Sequence, residues 1–333
     1  MEQAAPRRIL QSLILPTLMF LMLALAYGAA SAQSYPERPI KLIVPFAAGG
    51  PTDVTGRTLA DAMSRRLGQA IVVENDGGAG GNVGALRAAQ SAADGYTLMF
   101  TNFSMAISPA LYPDLAYDPV RDFVSLGIAV FSKTMLVSRP DFANVPFRDF
   151  IDYLKSNGEK INVGTTGPGG PSDLCASLLM QQLKTRFNLI PYKGTGPAMT
   201  DVIAGRVDFV CDAVVTASVQ AKAGTVKAYG IVGTARSQIM PDLPTLAEQG
   251  LPNVAMDVWS GLYAPKETPA PVVDRLSAAL QATLNDPDFQ RKAVAVGQEI
   301  VPAELATAAG AATFLRAEIA RWAPILKTRE PIN

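Results

Sequence analysis

One piece of backbone is written twice in this chain, and that constrains the fold more than anything else in it. "KLIVPFAAGGPTDV" begins at Lys41 and "KINVGTTGPGGPSDL" begins at Lys160. Each has a lysine, a short apolar run, a glycine-rich loop, and then Gly-Gly-Pro-[Thr/Ser]-Asp ahead of an apolar periodic segment. The apolar run predicts a buried strand, and the Thr/Ser-Asp pair after it predicts a helix start. After the first copy, Val54, Leu59 and Met63 mark a helix that stops at Gly68. Residues 70–75 and 96–102 follow as buried strands, with a helix near 82–92 between them. After the second copy, Leu174, Leu178, Leu179 and Leu183 mark a helix. Residues 188–192 and 207–211 are the next strands, separated by a helix over 196–204.

Both halves therefore read β-α-β-α-β, which with right-handed crossovers gives an α/β fold of two lobes. Each lobe is expected to be a doubly wound, mostly parallel sheet with flanking helices. The helix–strand rhythm breaks near residues 126–139 and 225–235. This divides the chain into a first lobe of residues 33–133 with 231–333, and a second of 134–230. Residues 258–265 read as a strand returning to the first lobe, with helices near 270–284 and 303–327. Two crossings would make a hinge rather than a tether. In open sheets of this kind ligands bind beyond the carboxyl ends of the strands, which is where both loops lie.

The first 32 residues stand apart from the fold. Arg7 and Arg8 precede an apolar run from Ile9 to Ala30, which ends in the small-x-small site Ala30-Ser31-Ala32. We read residues 1–32 as a cleavable export signal and place the mature chain in the periplasm. The arginine pair leaves open whether general or twin-arginine export is used. Losing Glu2, Arg7 and Arg8 from 29 basic and 29 acidic residues leaves 27 and 28, so no polybasic stripe calls for nucleic acid. The two cysteines, Cys175 and Cys211, make no C-x-x-C pair. An oxidising compartment permits a bridge, but its geometry is strict, and two buried thiols are the expectation.

A helix N-terminus offers unpaired N–H groups and a partial positive charge, and glycines let an anion approach them. The anion is not a nucleotide phosphate. Gly50 is followed by Pro51 and Thr52, so the Gly-Lys-[Ser/Thr] ending of a phosphate loop is missing, and no G-x-G-x-x-G occurs. A carboxylate is expected instead. Thr52 and Ser172 either cap their helices or touch it. Asp53 and Asp173 would repel an acid, so they hold a ligand hydroxyl or amine, or else point away as caps. Asn102, Thr165, Thr166, Lys193 and Asp212 fall at strand ends within reach of a ligand, whereas Trp259 is expected to pack between elements.

An enzyme is not expected. The chain has no histidine, which removes Ser-His-Asp and Cys-His pairs along with the commonest metal ligand and general base. No metal site or cofactor is expected either.

Taken together, "YPERPIKLIVPFAAGGPTDV", "VVENDGGAGGNVGA", "ADGYTLMFTN", "ALYPDLAYDPVRDF", "PYKGTGPAMTDVIAGRVDF", "MPDLPTLAEQGLP" and "WSGLYAP" resemble the Bug-type extracytoplasmic solute receptors of tripartite tricarboxylate transporters. The resemblance covers essentially the whole mature chain. It implies a type II periplasmic-binding-protein fold that closes around one small organic carboxylate and delivers it to membrane transporter subunits. The loops embracing the carboxylate, partly through water, would correspond to Phe46, Ala47, Gly50, Thr52 and Asp53, and to Thr165, Thr166, Gly169, Gly170, Ser172 and Asp173. Positions matching Asn102 and Asp212 would line the pocket. The chain departs from the pattern at Asp173, where many members carry a histidine, and at Asp76, where a basic residue is often found. These exchanges put a tricarboxylate in doubt. A monomer that binds and releases is the expectation, with a sensing module or an exported enzyme as alternatives.

Overall fold

The computed structural model describes residues 35–142, 144–233 and 235–326. The export signal expected at residues 1–32 lies outside them. The first half runs β1 (Ile40–Val44), α1 (Pro51–Leu67), β2 (Ile71–Asn75), α2 (Asn82–Ala89), β3 (Thr97–Asn102), α3 (Ser104–Leu111) and β4 (Phe123–Ser132). The second half runs β5 (Thr134–Ser138), α4 (Phe147–Asn157), β6 (Asn162–Thr165), α5 (Pro171–Leu183), β7 (Asn188–Pro191), α6 (Thr195–Ile203), β8 (Phe209–Ala213), α7 (Val214–Lys222) and β9 (Lys227–Val232). The chain then returns through β10 (Val258–Pro265), α8 (Ala270–Leu284), α9 (Pro287–Ala295), β11 (Gln298–Ile300) and α10 (Ala308–Leu326).

Two sheets result, one of six strands in the order β11-β4-β10-β3-β1-β2 and one of five in the order β7-β6-β8-β5-β9. The two-lobed α/β architecture is the expected one, but the sheets are mixed rather than mostly parallel. Among the described strands, β1 pairs in parallel with β2 and β3, and β6 with β7 and β8. β10 is antiparallel to β3 and β4, and β5 is antiparallel to β8 and β9. The cause is connectivity. A chain that leaves a lobe on β4 and comes back on the neighbouring β10 must run the two in opposite directions.

Strand β1 shows why the loop after it is held so firmly. Ile40, Leu42, Ile43 and Val44 are all at most 1% exposed, as in a strand covered on both faces. Helix α1 lies close above it. A Cβ on Gly56 would sit 3.1 Å from Val44 Cγ2 and 3.3 Å from Phe100, so glycine permits the close approach. Leu59 and Met63 complete the buried face, and Gly68, at φ 72°, ends the helix by donating its N–H to Ser64 O.

The crossings between sheets are short. Lys133 alone separates β4 from β5. On the way back, the segment after β9 stays on the second sheet, where Leu246 N–H donates to Ile231 O at 2.9 Å and Gln249 Nε2 to Tyr229 O at 2.9 Å. It rejoins the first sheet at Asp257–Val258. Lys133 Nζ, nearly buried, lies 2.8 Å from Asp257 Oδ1, so the two crossings are tied to each other.

Candidate functional site

The two glycine turns have the same backbone. Gly49 and Gly169 take left-handed φ values of 78° and 75°. Gly50 and Gly170, the residues before the helices, take φ/ψ of −79°/169° and −85°/167°. Pro51 and Pro171 then open α1 and α5, where a missing N–H costs nothing. Behind each turn an aspartate folds back. Asp53 Oδ2 accepts from Gly49 N–H at 2.9 Å, and Asp173 Oδ2 accepts from Gly169 N–H at 3.0 Å. The acids thus shape the turns, and neither lines the cavity between the lobes.

The turns are braced differently. Arg57 Nε donates to Asp53 Oδ2 at 3.0 Å, and Asn75 Nδ2 donates to Asp53 Oδ1 and Phe46 O at 3.0 Å each. Burial pushes the Asp53 carboxyl up, but Arg57, the Gly49 amide and Asn75 together hold it below the ordinary carboxylate value. In the second turn Ser172 Oγ accepts from Thr166 N–H at 2.6 Å and donates to Thr166 Oγ1 at 3.1 Å. A Cβ on Gly170 would overlap Thr166 Oγ1. Helix α5 is bound covalently to β8 by a Cys175–Cys211 disulfide, with Cα atoms 6.3 Å apart. The expectation of two free thiols is therefore corrected: packing α5 on β8 brings both cysteines into bridging range.

The lobes meet. Ala47 N–H donates to Lys193 O at 2.7 Å, and Tyr112 OH donates to Pro168 O. Burial, with the Asp173 charge nearby, pushes the Tyr112 hydroxyl up to about 12, so it keeps its proton. The junction is glycine-lined because backbone touches backbone: a Cβ on Gly77 would lie 2.5 Å from Lys193 O, and one on Gly194 would lie 2.9 Å from Ala47 N.

Between the turns lies a cavity with about 40 Å³ open to the centres of water-sized spheres. That is room for about three waters at the ~10–15 Å³ each requires. Six expected residues line it: Phe46, Gly50, Thr52, Asn102, Thr166 and Asp212. Asn102 is oriented on both sides, donating from Nδ2 to Thr52 Oγ1 at 3.2 Å and accepting at Oδ1 from Ser104 Oγ at 2.7 Å. Asp212, 2% exposed, accepts at Oδ1 from Thr195 Oγ1 at 2.6 Å and Ala213 N–H at 2.9 Å, and at Oδ2 from Thr216 Oγ1 at 2.6 Å. Burial pushes its carboxyl above the ordinary range against those three donors.

The other expected residues stand behind or beside the cavity. Thr165 Oγ1 accepts from Gly167 N–H at 3.3 Å, and Ser172 is fully buried beneath Thr166. Ala47 takes part through its backbone, and Gly169 packs against Leu111 and Tyr112 of the facing lobe. The Lys193 side chain is exposed, and its carbonyl makes the contact across the lobes. Sequence reasoning missed Thr55, Ser132, Thr134, Thr195 and Ser260, all of which line the cavity. A signal existed for some of them: Ser132 and Thr134 flank the crossing at Lys133, and Val258 and Ser260 share one face of a strand already recognised. Trp259, on the opposite face, packs on Phe314 at 5.4 Å and donates from Nε1 to Glu318 Oε2 at 3.1 Å. Among the described residues no group of three or more Cys, Asp or Glu is gathered as metal ligands.

Two α/β lobes joined by paired crossings, with a small cavity between them, have the architecture of a solute-binding receptor. The family model described as tripartite tricarboxylate transporter family receptor matches residues 55–330, and this chain belongs to that family. An Agrobacterium vitis protein, described as a UPF0065 protein in the TAR-I ttuE-ttuC' intergenic region, is 41% identical over 302 residues, 91% of this chain and 87% of that one. Among solved structures, the periplasmic binding protein BugD has a TM-score of 0.85 at 38% identity, covering 88% of this chain and 98% of its own. MatC from Rhodopseudomonas palustris, solved with bound malate, has a TM-score of 0.83 at 35% identity, covering 88% and 100%.

Proposed function

We propose that this protein is a periplasmic receptor that captures a small organic carboxylate between its lobes and presents it to the membrane subunits of a tripartite transporter. The observation that carries this reading is the matched pair of glycine turns, which bring two helix N-termini to the walls of one cavity. The first-turn amides of Thr52 and Ser172 have no carbonyl partner within their own helices and favour an anion. With the Thr52 and Thr166 hydroxyls and Asn102, they hold the carboxylate directly or through water. The malate in MatC supports a carboxylate of modest size.

In this reading the lobes turn about Lys133 and Asp257, and the segment 235–256 travels with the second sheet it is bonded to. A ligand touching both walls favours the closed state by its added contacts. Asp53, Asp173 and the Ser172 hydroxyl keep the turns in shape, and Lys193 draws anions to the mouth of the cleft. The protein works as a monomer, without catalysis, after removal of residues 1–32.

A thermal-shift screen against a panel of carboxylates tests the reading. A ligand at 100 times its Kd adds about 2.7 kcal/mol of stability, a shift of several degrees. If no acid raises the melting temperature, the reading fails. Turnover of a stabilising acid would move the protein among the enzymes.

A further inference from the structure

We infer that the first lobe carries a second binding site, remote from the interlobe cavity, for a dissolved organic anion with an apolar body. The site is a groove where α10 crosses β4, with about 230 Å³ open to the centres of water-sized spheres. Ser132, at one end of β4, lines the interlobe cavity. Ser125 lines the groove, about 23 Å away along the strand at ~3.3 Å per residue. The groove owes its existence to a short strand and two small side chains. β11 has three residues and pairs with Val130, Phe131 and Ser132, so it stops short of Phe123–Ser125. There α10 presents only alanine, at positions 308 and 312, between the apolar walls made by Phe123, Val124 and Leu315.

The charges around the groove have one sign. Lys266 and Arg316 are the ionisable side chains of its lining; both are exposed, and neither pairs with a carboxylate among the described residues. Arg316 reaches only Thr313 Oγ1, at 3.3 Å. Asp122 and Glu267, the acids close to Lys266, line a separate groove that shares the lysine. Helix α10 begins at Ala308 in the same lining and adds the partial positive charge of its N-terminus. Ser125, 6% exposed, stands among these groups with a hydroxyl that makes no hydrogen bond among the described residues. A hydroxyl so placed calls for a partner from outside the chain. Water would supply one but leave the apolar walls wet. An inorganic anion would meet the cations and not the walls, and a neutral apolar molecule the walls and not the cations. An organic acid meets all three, with its body on the walls and its carboxylate taking the charged donors and the hydroxyl.

Three probes of one chain length test this: hexanoate, hexanol and hexylamine, titrated into the purified protein and followed by its backbone amide resonances. Hexanoate is expected to move the amides of Val124, Ser125 and Ala312 while those of Thr52 and Ser172 stay in place. It should bind about tenfold tighter than hexanol or hexylamine, the scale of two exposed charge contacts. Replacing both cations, Lys266→Ser with Arg316→Ser, should bring hexanoate to the level of hexanol. Ala312→Leu fills the groove and should remove binding of all three probes. If that variant does not fold, the wild-type ranking and the exposed double variant decide. Hexylamine binding as tightly as hexanoate overturns the site, as does a double variant that keeps wild-type affinity. So do hexanoate shifts confined to Thr52 and Ser172, which would place the acid between the lobes. Sedimentation with phosphatidylglycerol vesicles but not phosphatidylcholine ones, lost in the double variant and without any shift by hexanoate, overturns the dissolved acid in favour of a lipid head.

Discussion

The first and second glycine turns share their φ/ψ values, their prolines and their folded-back aspartates, yet they are secured by different chemistry. Around Gly49–Asp53 the bracing is polar: a half-exposed arginine and an asparagine converge on Asp53. Around Gly169–Asp173 it is buried: Thr166 and Ser172 interlock, and a disulfide fastens the helix to the floor strand. The backbone shape is what the two walls have in common. The means of holding it is free to differ, and each means responds to a different perturbation.

The largest difference is expected at the glycines before the helices. Gly170→Ala overlaps Thr166, whereas at Gly50 a Cβ meets nothing nearer than Ala47 O at 3.4 Å. Calorimetry should find binding weakened by about 100-fold or more in Gly170→Ala, since overpacking displaces amides that must be in place, and little changed in Gly50→Ala. Equal losses would mean that the two turns are constrained alike. Next comes the bridge. Reduction, or the Cys175→Ala/Cys211→Ala pair, should lower unfolding free energy by about 2–4 kcal/mol in denaturant titrations. An unchanged midpoint would show that packing alone holds α5 on β8.

The smallest effect belongs to the first turn. Arg57→Ala should cost less than about 1 kcal/mol, because Arg57 is half exposed and its ion pair is screened. That contribution has a pH signature. The Asp53 carboxyl is lower in the folded chain than its ordinary 3.8, so its stabilisation is complete above pH 3.8 and lost as pH falls through the folded value. Acid titration of stability should therefore flatten in Arg57→Ala. Reductant, which loosens only the second turn, should leave that acid limb where it was.

The repeated turns were legible in the sequence because their constraints are local. A glycine pair, a proline and a capping acid dictate the backbone within six residues, and the strand at 258–265 was marked by its own apolar run. What escaped depends on distant packing. Cys175 and Cys211 are 36 positions apart and meet only when α5 lies on β8. The antiparallel pairings follow from the route between lobes, and the short α9 and β11 carry no periodicity long enough to read. At the site, charge alone did not decide a role. For Asp53 and Asp173 the sequence left two roles open, a ligand contact or a cap pointing away, and both carboxylates accept from the loop's own amide. Lys193 stood out in the sequence by its place at a strand end, and a contact that the sequence does not announce is the one its carbonyl oxygen makes with the Ala47 N–H.

The Cys175–Cys211 bond has a consequence in time. It forms when the chain folds, before any solute arrives, and it joins the helix that begins at Pro171 to the strand that ends beside Asp212. Conformational entropy that a loose wall would lose on each capture is lost there once, during folding. The second lobe therefore meets its guest as a finished mould, a readiness that the joined pair of sulfurs confers.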